Sequence, residues 1–93
     1  MLKISYRTKF KKEAEKQKKR GKDLQILRDV SEKLVNEEPL PPKYRNHRLK
    51  GNFNGRWECH LEPDWLLIYC VTDTEIIFER TGTHSDLLNK KQT

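Results

Sequence analysis

The sequence predicts an α+β fold, and three observations carry that expectation. Apolar residues at helical spacing run through residues 24–37, strongly β-forming runs fill residues 56–80, and Pro39, Pro41 and Pro42 separate the two. The element order β-α-α-β-β-β with short final links predicts a four-stranded antiparallel sheet with two N-terminal helices on one face and the other face open. A chain of 93 residues builds one modest core, so residues 1–93 read as a single domain.

Each element has its own warrant. Leu2-Lys3-Ile4-Ser5-Tyr6 alternates apolar and polar, as a half-buried strand does. From Thr8, an expected N-cap, to Arg20 the residues are good helix formers, but Phe10 and Ala14 give only a narrow apolar stripe. Gly21 supplies a stop and Asp23 a fresh N-cap. The second helix, Leu24 to about Glu37, has a broad apolar face of Leu24, Leu27, Val30 and Leu34. Residues 43–56 form a long connection with five basic residues, two aromatics and two glycines. Interleaved cations and rings suit a single-stranded nucleic acid, charge for phosphates and rings for unstacked bases; a solvated loop pinned by Leu49 and Phe53 explains them equally well.

Three strands follow, Arg56–Leu61, Trp65–Val71 and Glu75–Arg80, joined by turns at Glu62-Pro63-Asp64 and Thr72-Asp73-Thr74. In the first, Trp57, Cys59 and Leu61 share one face while Arg56, Glu58 and His60 share the other. The run Trp65 to Val71 is apolar on both faces, which makes it the central strand. Ser85-Asp86-Leu87-Leu88 can form one helical turn before a polar tail.

The composition is 33% hydrophobic and 37% charged, with a net charge of +6. Residues 1–22 hold ten Lys or Arg against Glu13 and Glu15, so the surplus is an N-terminal feature, either a solvated helix face or a footprint for a polyanion or acidic partner. No apolar run approaches the ~18 residues of a membrane span, and no targeting segment is visible. Cys59 and Cys70 fall out of register across the expected hairpin and read as reduced, small apolar residues of a cytoplasmic protein.

The chemistry concentrates where strands begin or end. Metal-free RNA cleavage needs a base for the 2′-hydroxyl, an acid for the leaving 5′-oxygen and positive charge on the phosphate. His47, His60, Asp64, Arg80 and His84 could supply all three. Singly, each is an ordinary surface or turn residue; together they place every histidine of the chain beside Arg and Asp in one half of it. The Cys and His spacings are not those of a zinc site, and there is neither a glycine-rich phosphate loop nor a nucleophile elbow.

His47-Arg48-Leu49-Lys50-Gly51, His60-Leu61-Glu62-Pro63-Asp64-Trp65-Leu66-Leu67-Ile68-Tyr69 and Arg80-Thr81-Gly82-Thr83-His84-Ser85 resemble the YafQ-type toxins of the RelE/ParE superfamily, members of bacterial type II toxin–antitoxin systems. The resemblance implies a RelE-like fold and an mRNA endonuclease, usually acting on the ribosome, without a cofactor or metal. It further implies inhibition by a DinJ- or RelB-like antitoxin in a hetero-oligomer. Carried over by position, His47, His60, Asp64 and His84 are the acid/base candidates and Arg80 the phosphate-stabilising residue. Ordinary pKa values make Asp64 the readier base and a protonated His the readier acid, so His84 reads as the acid, His60 or Asp64 as the base, and His47 as support for RNA binding or proton transfer. Lys43, Arg45, Arg48, Lys50, Arg56, Trp65 and Leu88 complete an expected RNA-contacting set; Leu87-Leu88 stands where these toxins often place an aromatic. A ParE-like block of DNA gyrase and a non-catalytic RNA-binding module are the alternatives, and neither requires the acid/base set.

Overall fold

The computed structural model describes residues 1–49 and 55–87. Its elements are β1 (Lys3–Tyr6), α1 (Thr8–Lys19), α2 (Leu24–Val35), a 3₁₀ turn (Pro42–Tyr44), β2 (His47–Arg48), β3 (Arg56–Glu62), β4 (Trp65–Val71), β5 (Glu75–Gly82) and α3 (His84–Leu87). Thr8 turns out to be the first residue of α1 rather than its cap; Arg7 precedes it in extended conformation, with no side-chain cap bond. The second cap is as expected, the Asp23 carboxylate accepting from the Gln25 amide at 2.9 Å. Gly21 ends the first helical run with φ +90°, a left-handed conformation that glycine adopts without steric cost.

The sheet order is β1-β5-β4-β3-β2, five strands rather than four. Two corrections to the sequence expectation share one cause. Inside the long 43–56 connection, His47–Arg48 pairs antiparallel with Glu58 and Trp57, forming a strand too short for any alternation to announce it. A chain that reverses at each connection gains one reversal there, so β5 runs parallel to β1, Lys3 facing Glu75 and Tyr6 facing Phe78. The β3–β4–β5 meander is antiparallel as expected, with Cys59 opposite Leu67 and both cysteines free.

Both helices cover one face. Phe10 of α1 and Val30 and Leu34 of α2 pack with Cys59, Leu61, Trp65, Leu67, Tyr69, Ile76 and Phe78 into one core. Phe10 and Phe78 meet with ring centroids 5.4 Å apart. On the face that α1 and α2 leave open, Leu66 and Ile68 are nonetheless buried, Leu66 lying between His60 and Gly82 and Ile68 between Glu58 and Arg80. β5 carries a bulge: Ile68 faces Arg80 while Tyr69 faces Phe78, leaving Glu79 as the extra residue. Before it the even-numbered Ile76 and Phe78 point into the core; after it the odd-numbered Thr81 does. Among the described residues no helix is long and apolar enough to cross a membrane.

Candidate active site

The β2–β3 pairing sets His47 directly opposite Glu58, and the alternation of β3 sets His60 on the same face two residues on. Glu58 is only 9% exposed, and its Oε1 lies 3.2 Å from His47 Nε2 and 3.9 Å from His60 Nε2. The hairpin turn brings Asp64 to the start of α3, where its Oδ1 accepts from the His84 amide at 2.9 Å and lies 2.6 Å from His84 Nδ1. The rings of His47 and His60 are 6.2 Å apart and those of His60 and His84 are 5.7 Å apart. Three histidines separated by up to 37 positions therefore form a continuous row, with Glu58 between the first two and Asp64 beside the third.

The hydrogen bonds assign roles to the ring nitrogens. His60 Nδ1 faces the Pro63 carbonyl at 3.4 Å, and an Nδ1–H donated there leaves Nε2 with a lone pair. His47 Nδ1 faces the Arg45 carbonyl at 2.7 Å and its Nε2 faces Glu58 at 3.2 Å, so both ring nitrogens point at acceptors. An Nδ1–H donated by His84 to Asp64 leaves Nε2 turned to whatever occupies the site. The Asp64 carboxyl is held below the usual carboxylate range, chiefly by the His84 amide and then by its ring. Its readiness as a base is correspondingly reduced, because the lone pair nearest the site is already engaged.

Arg80 lies two strands from Glu58, about 10 Å across the sheet at the usual strand spacing. Its Nε and Nη2 grip both oxygens of Glu13 on α1 at 2.7–3.0 Å, and Glu13 also accepts from the Thr81 amide at 3.2 Å. Glu13 thus caps the stretch of β5 that β1 is too short to cover. Asp86 plays a comparable part for the histidine turn. Its carboxylate accepts from the Thr83 amide at 3.0 Å, from Gln17 of α1 at 3.2 Å and from Arg20 just past the end of α1 at 2.7 Å, while its own amide donates to Thr83 Oγ1. Arg20 is the main reason its carboxyl titrates well below the usual range. Gly82 beneath it has no room for a side chain, since an added Cβ would sit 2.9 Å from the Asp86 Cβ.

Sequence reasoning missed Glu58, Glu13 and Asp86. Thr83-x-x-Asp86 was the readable signal, a reciprocal capping pattern at the start of a helical turn; Glu58 was placed on the correct face but given no role. Trp65 requires a correction as an RNA contact. It is fully buried, and its indole N–H donates to Thr81 Oγ1 at 2.9 Å, so no base can stack on it. Arg56 is engaged by Glu79 rather than left for phosphate. Lys43, Arg45 and Arg48 are exposed, with the Arg48 guanidinium 5.6 Å from the Trp57 ring, whereas Lys50 and Leu88 lie outside the described residues. Burial pushes the Cys59 thiol up to about 12, which leaves it inert as a nucleophile.

Comparison with known proteins gives a consistent result. The mRNA interferase toxin YafQ of Escherichia coli K12 is 42% identical over 85 residues, covering 90% of this chain and 92% of that one. The toxin in the E. coli DinJ–YafQ complex superposes with a TM-score of 0.88 at 41% identity, covering 94% of this chain and 98% of that one. A metal-bound toxin from Helicobacter pylori superposes equally well, with a TM-score of 0.88, 42% identity, and coverage of 94% and 99%. In this chain, among the described residues, no three His, Cys, Asp or Glu side chains converge as a metal-ligand set. The family described as bacterial toxin of type II toxin–antitoxin system, YafQ, matches residues 2–89, and this chain belongs to that family.

Proposed function

We propose that the protein is the toxin of a type II toxin–antitoxin pair, one RelE-like domain over residues 1–93, and that it acts as an mRNA endonuclease in the cytoplasm, on translating ribosomes. The observation that carries this reading is the row His47–His60–His84 on the open face, where a strand of RNA can lie across all three rings. His60, with its Nε2 lone pair, takes the proton of the 2′-hydroxyl. The 2′-oxygen attacks the adjacent phosphorus, the bond to the 5′-oxygen breaks, and His84 Nε2–H protonates that oxygen as it leaves. Asp64 orients His84, as a carboxylate behind an imidazole does in other acid/base pairs. Glu58 joins His47 and His60 and steadies the charge that His60 acquires. Arg80, positioned by Glu13, faces the charge building on the phosphate, and Lys43, Arg45 and Arg48 guide the flanking backbone. Lys50 and Leu88 remain proposed RNA contacts, as does Arg56 on release from Glu79.

The E. coli relative is named an mRNA interferase and its complex contains DinJ. A DinJ-like antitoxin is therefore the proposed partner here, and the exposed lysines of α1 suit an acidic segment of it. The deciding experiment adds purified toxin to a reconstituted translation reaction with a defined mRNA and maps the new ends. Cuts within codons ending in a 2′,3′-cyclic phosphate or 3′-phosphate, lost when the cut-site nucleotide is 2′-deoxy, are expected. Intact mRNA, or 3′-hydroxyl ends, would overturn the reading.

A further inference from the structure

Beside the histidine row, but not part of it, a cavity of about 520 Å³ opens between α2, the 3₁₀ turn and the β3–β4 turn. That volume lies within the ~300–1,000 Å³ of ordinary ligand pockets. Ile26, Leu61 and Pro63 give it an apolar interior, and the half-buried Tyr44 ring adds a flat aromatic wall. Lys43 and Arg45 stand exposed at the mouth, and Lys43 Nζ lies 5.1 Å from the centre of the Tyr44 ring. Glu62, which also lines it, has its carboxylate engaged by Lys22 at 3.1 Å. The remaining wall is His60, so cavity and catalytic row meet at that residue.

We propose that this cavity is a nucleobase subsite, receiving a base adjacent to the cut bond and stacking it against Tyr44. The inference rests on the nuclease reading above. An apolar interior with cations only at its mouth matches a nucleotide, whose flat base seeks burial while its phosphates seek charge. Because His60 borders both, a nucleotide that enters here leaves its phosphodiester next to the catalytic row. The turn also holds Arg45 in the left-handed conformation, φ +47°, so the chain bends back at the mouth and directs the Arg45 carbonyl to His47. The pocket wall and the first histidine of the row are therefore set by one turn.

The test pairs a protein change with a substrate change. In reconstituted translation, wild-type toxin and Tyr44→Ala are compared on mRNAs carrying an abasic residue at each position flanking the cut. One abasic position is expected to slow the wild type about tenfold, the scale of one lost base stack. Tyr44→Ala should be slowed as much on intact RNA and no further on that abasic RNA. Losses that simply multiply, or an indifference to every flanking base, would overturn the subsite. So would a Tyr44→Ala variant that cuts normally but binds antitoxin less well, since the cavity would then hold an antitoxin side chain. Should Tyr44→Ala not fold, wild-type protein titrated with a 2′-deoxy trinucleotide decides by NMR. Shifted Tyr44 and Ile26 signals are expected; shifts confined to His60 and His84 would refute the proposal. Failure of wild-type toxin to cut any RNA refutes the nuclease reading instead, and the NMR titration still reports on the cavity.

Discussion

The two faces of this sheet are built by the same strands and obey different rules. On the covered face Trp65, Leu67, Tyr69, Ile76 and Phe78 are at most 2% exposed, so each is fixed by many neighbours at once. On the open face His47 and His84 have side chains 48% exposed and are fixed by one or two hydrogen bonds each. One residue along β3 separates the regimes, Cys59 pointing to the core and His60 to the site. The lesson is that stability and reactivity should separate by face in this molecule, and that the residues bridging the faces are the ones that should not obey the division.

The sharpest break in the comparison comes from His84→Ala, which should lower cleavage on the order of 10²- to 10⁴-fold if its proton transfer is lost. Its thermal midpoint should stay close to wild type, because the ring is exposed; a large fall in both would place His84 in the structural class. The converse is Trp65→Ala, which empties a fully buried site and abandons the Thr81 hydroxyl, and should cost about 3–5 kcal/mol in chemical unfolding. Base stacking was the other reading of Trp65, and unchanged stability with poorer RNA binding would restore it.

The bridging residues come next. Glu13→Gln keeps the size of the side chain but loosens its grip on Arg80, so a fall in kcat of about tenfold with little change in KM is expected, the mark of a transition-state contact. Asp86→Asn tests the anchor of the histidine turn through pH. Asp86 has a folded-state pKa below its unfolded one, so the stability it contributes is complete above the ordinary carboxylate pKa of ~3.9 and drains away as pH falls through the folded value. Urea unfolding at about pH 3 and about pH 7 should therefore show a smaller acid loss in Asp86→Asn than in wild type. An equal loss would assign the acid sensitivity to other carboxylates. The smallest effect belongs to charge reversal of the exposed Lys11, Lys12, Lys18 and Lys19, each of which should change folding by no more than about 0.5 kcal/mol while together they weaken capture of the antitoxin.

Much of this could be read along the chain, for a physical reason. Period-two alternation in Trp57 to Leu61 and helical spacing in Leu24 to Leu34 are local signals, and the faces they imply are those observed. His60, Asp64 and His84 were legible because they sit at strand ends, where turns bring them together. Glu13 and Asp86 act 67 and 66 residues from the groups they hold, Arg80 and Arg20, and at that range a helix-surface acid looks like any other. The direction of β1 was hidden in the same way, since it depended on a two-residue strand whose hydrogen bonds, rather than its composition, define it.

The bulge at Glu79 bears on how this strand tolerates change in length. β5 is two short reading frames spliced at one residue: the first delivers Ile76 and Phe78 to the core, the second delivers Thr81 to Trp65 while leaving Arg80 for Glu13. Substituting Glu79 forfeits its pairing with Arg56, a local matter. Deleting it would merge the frames into one regular alternation, with Phe78 still opposite Tyr69, Arg80 still opposite Ile68 and Thr81 still opposite Leu67, so each side chain would keep its face and only the bulge's local bend would be lost. Drift within such a family can rewrite or even omit this position without exchanging the faces of β5, whereas losing any single neighbour within the paired stretches would exchange them.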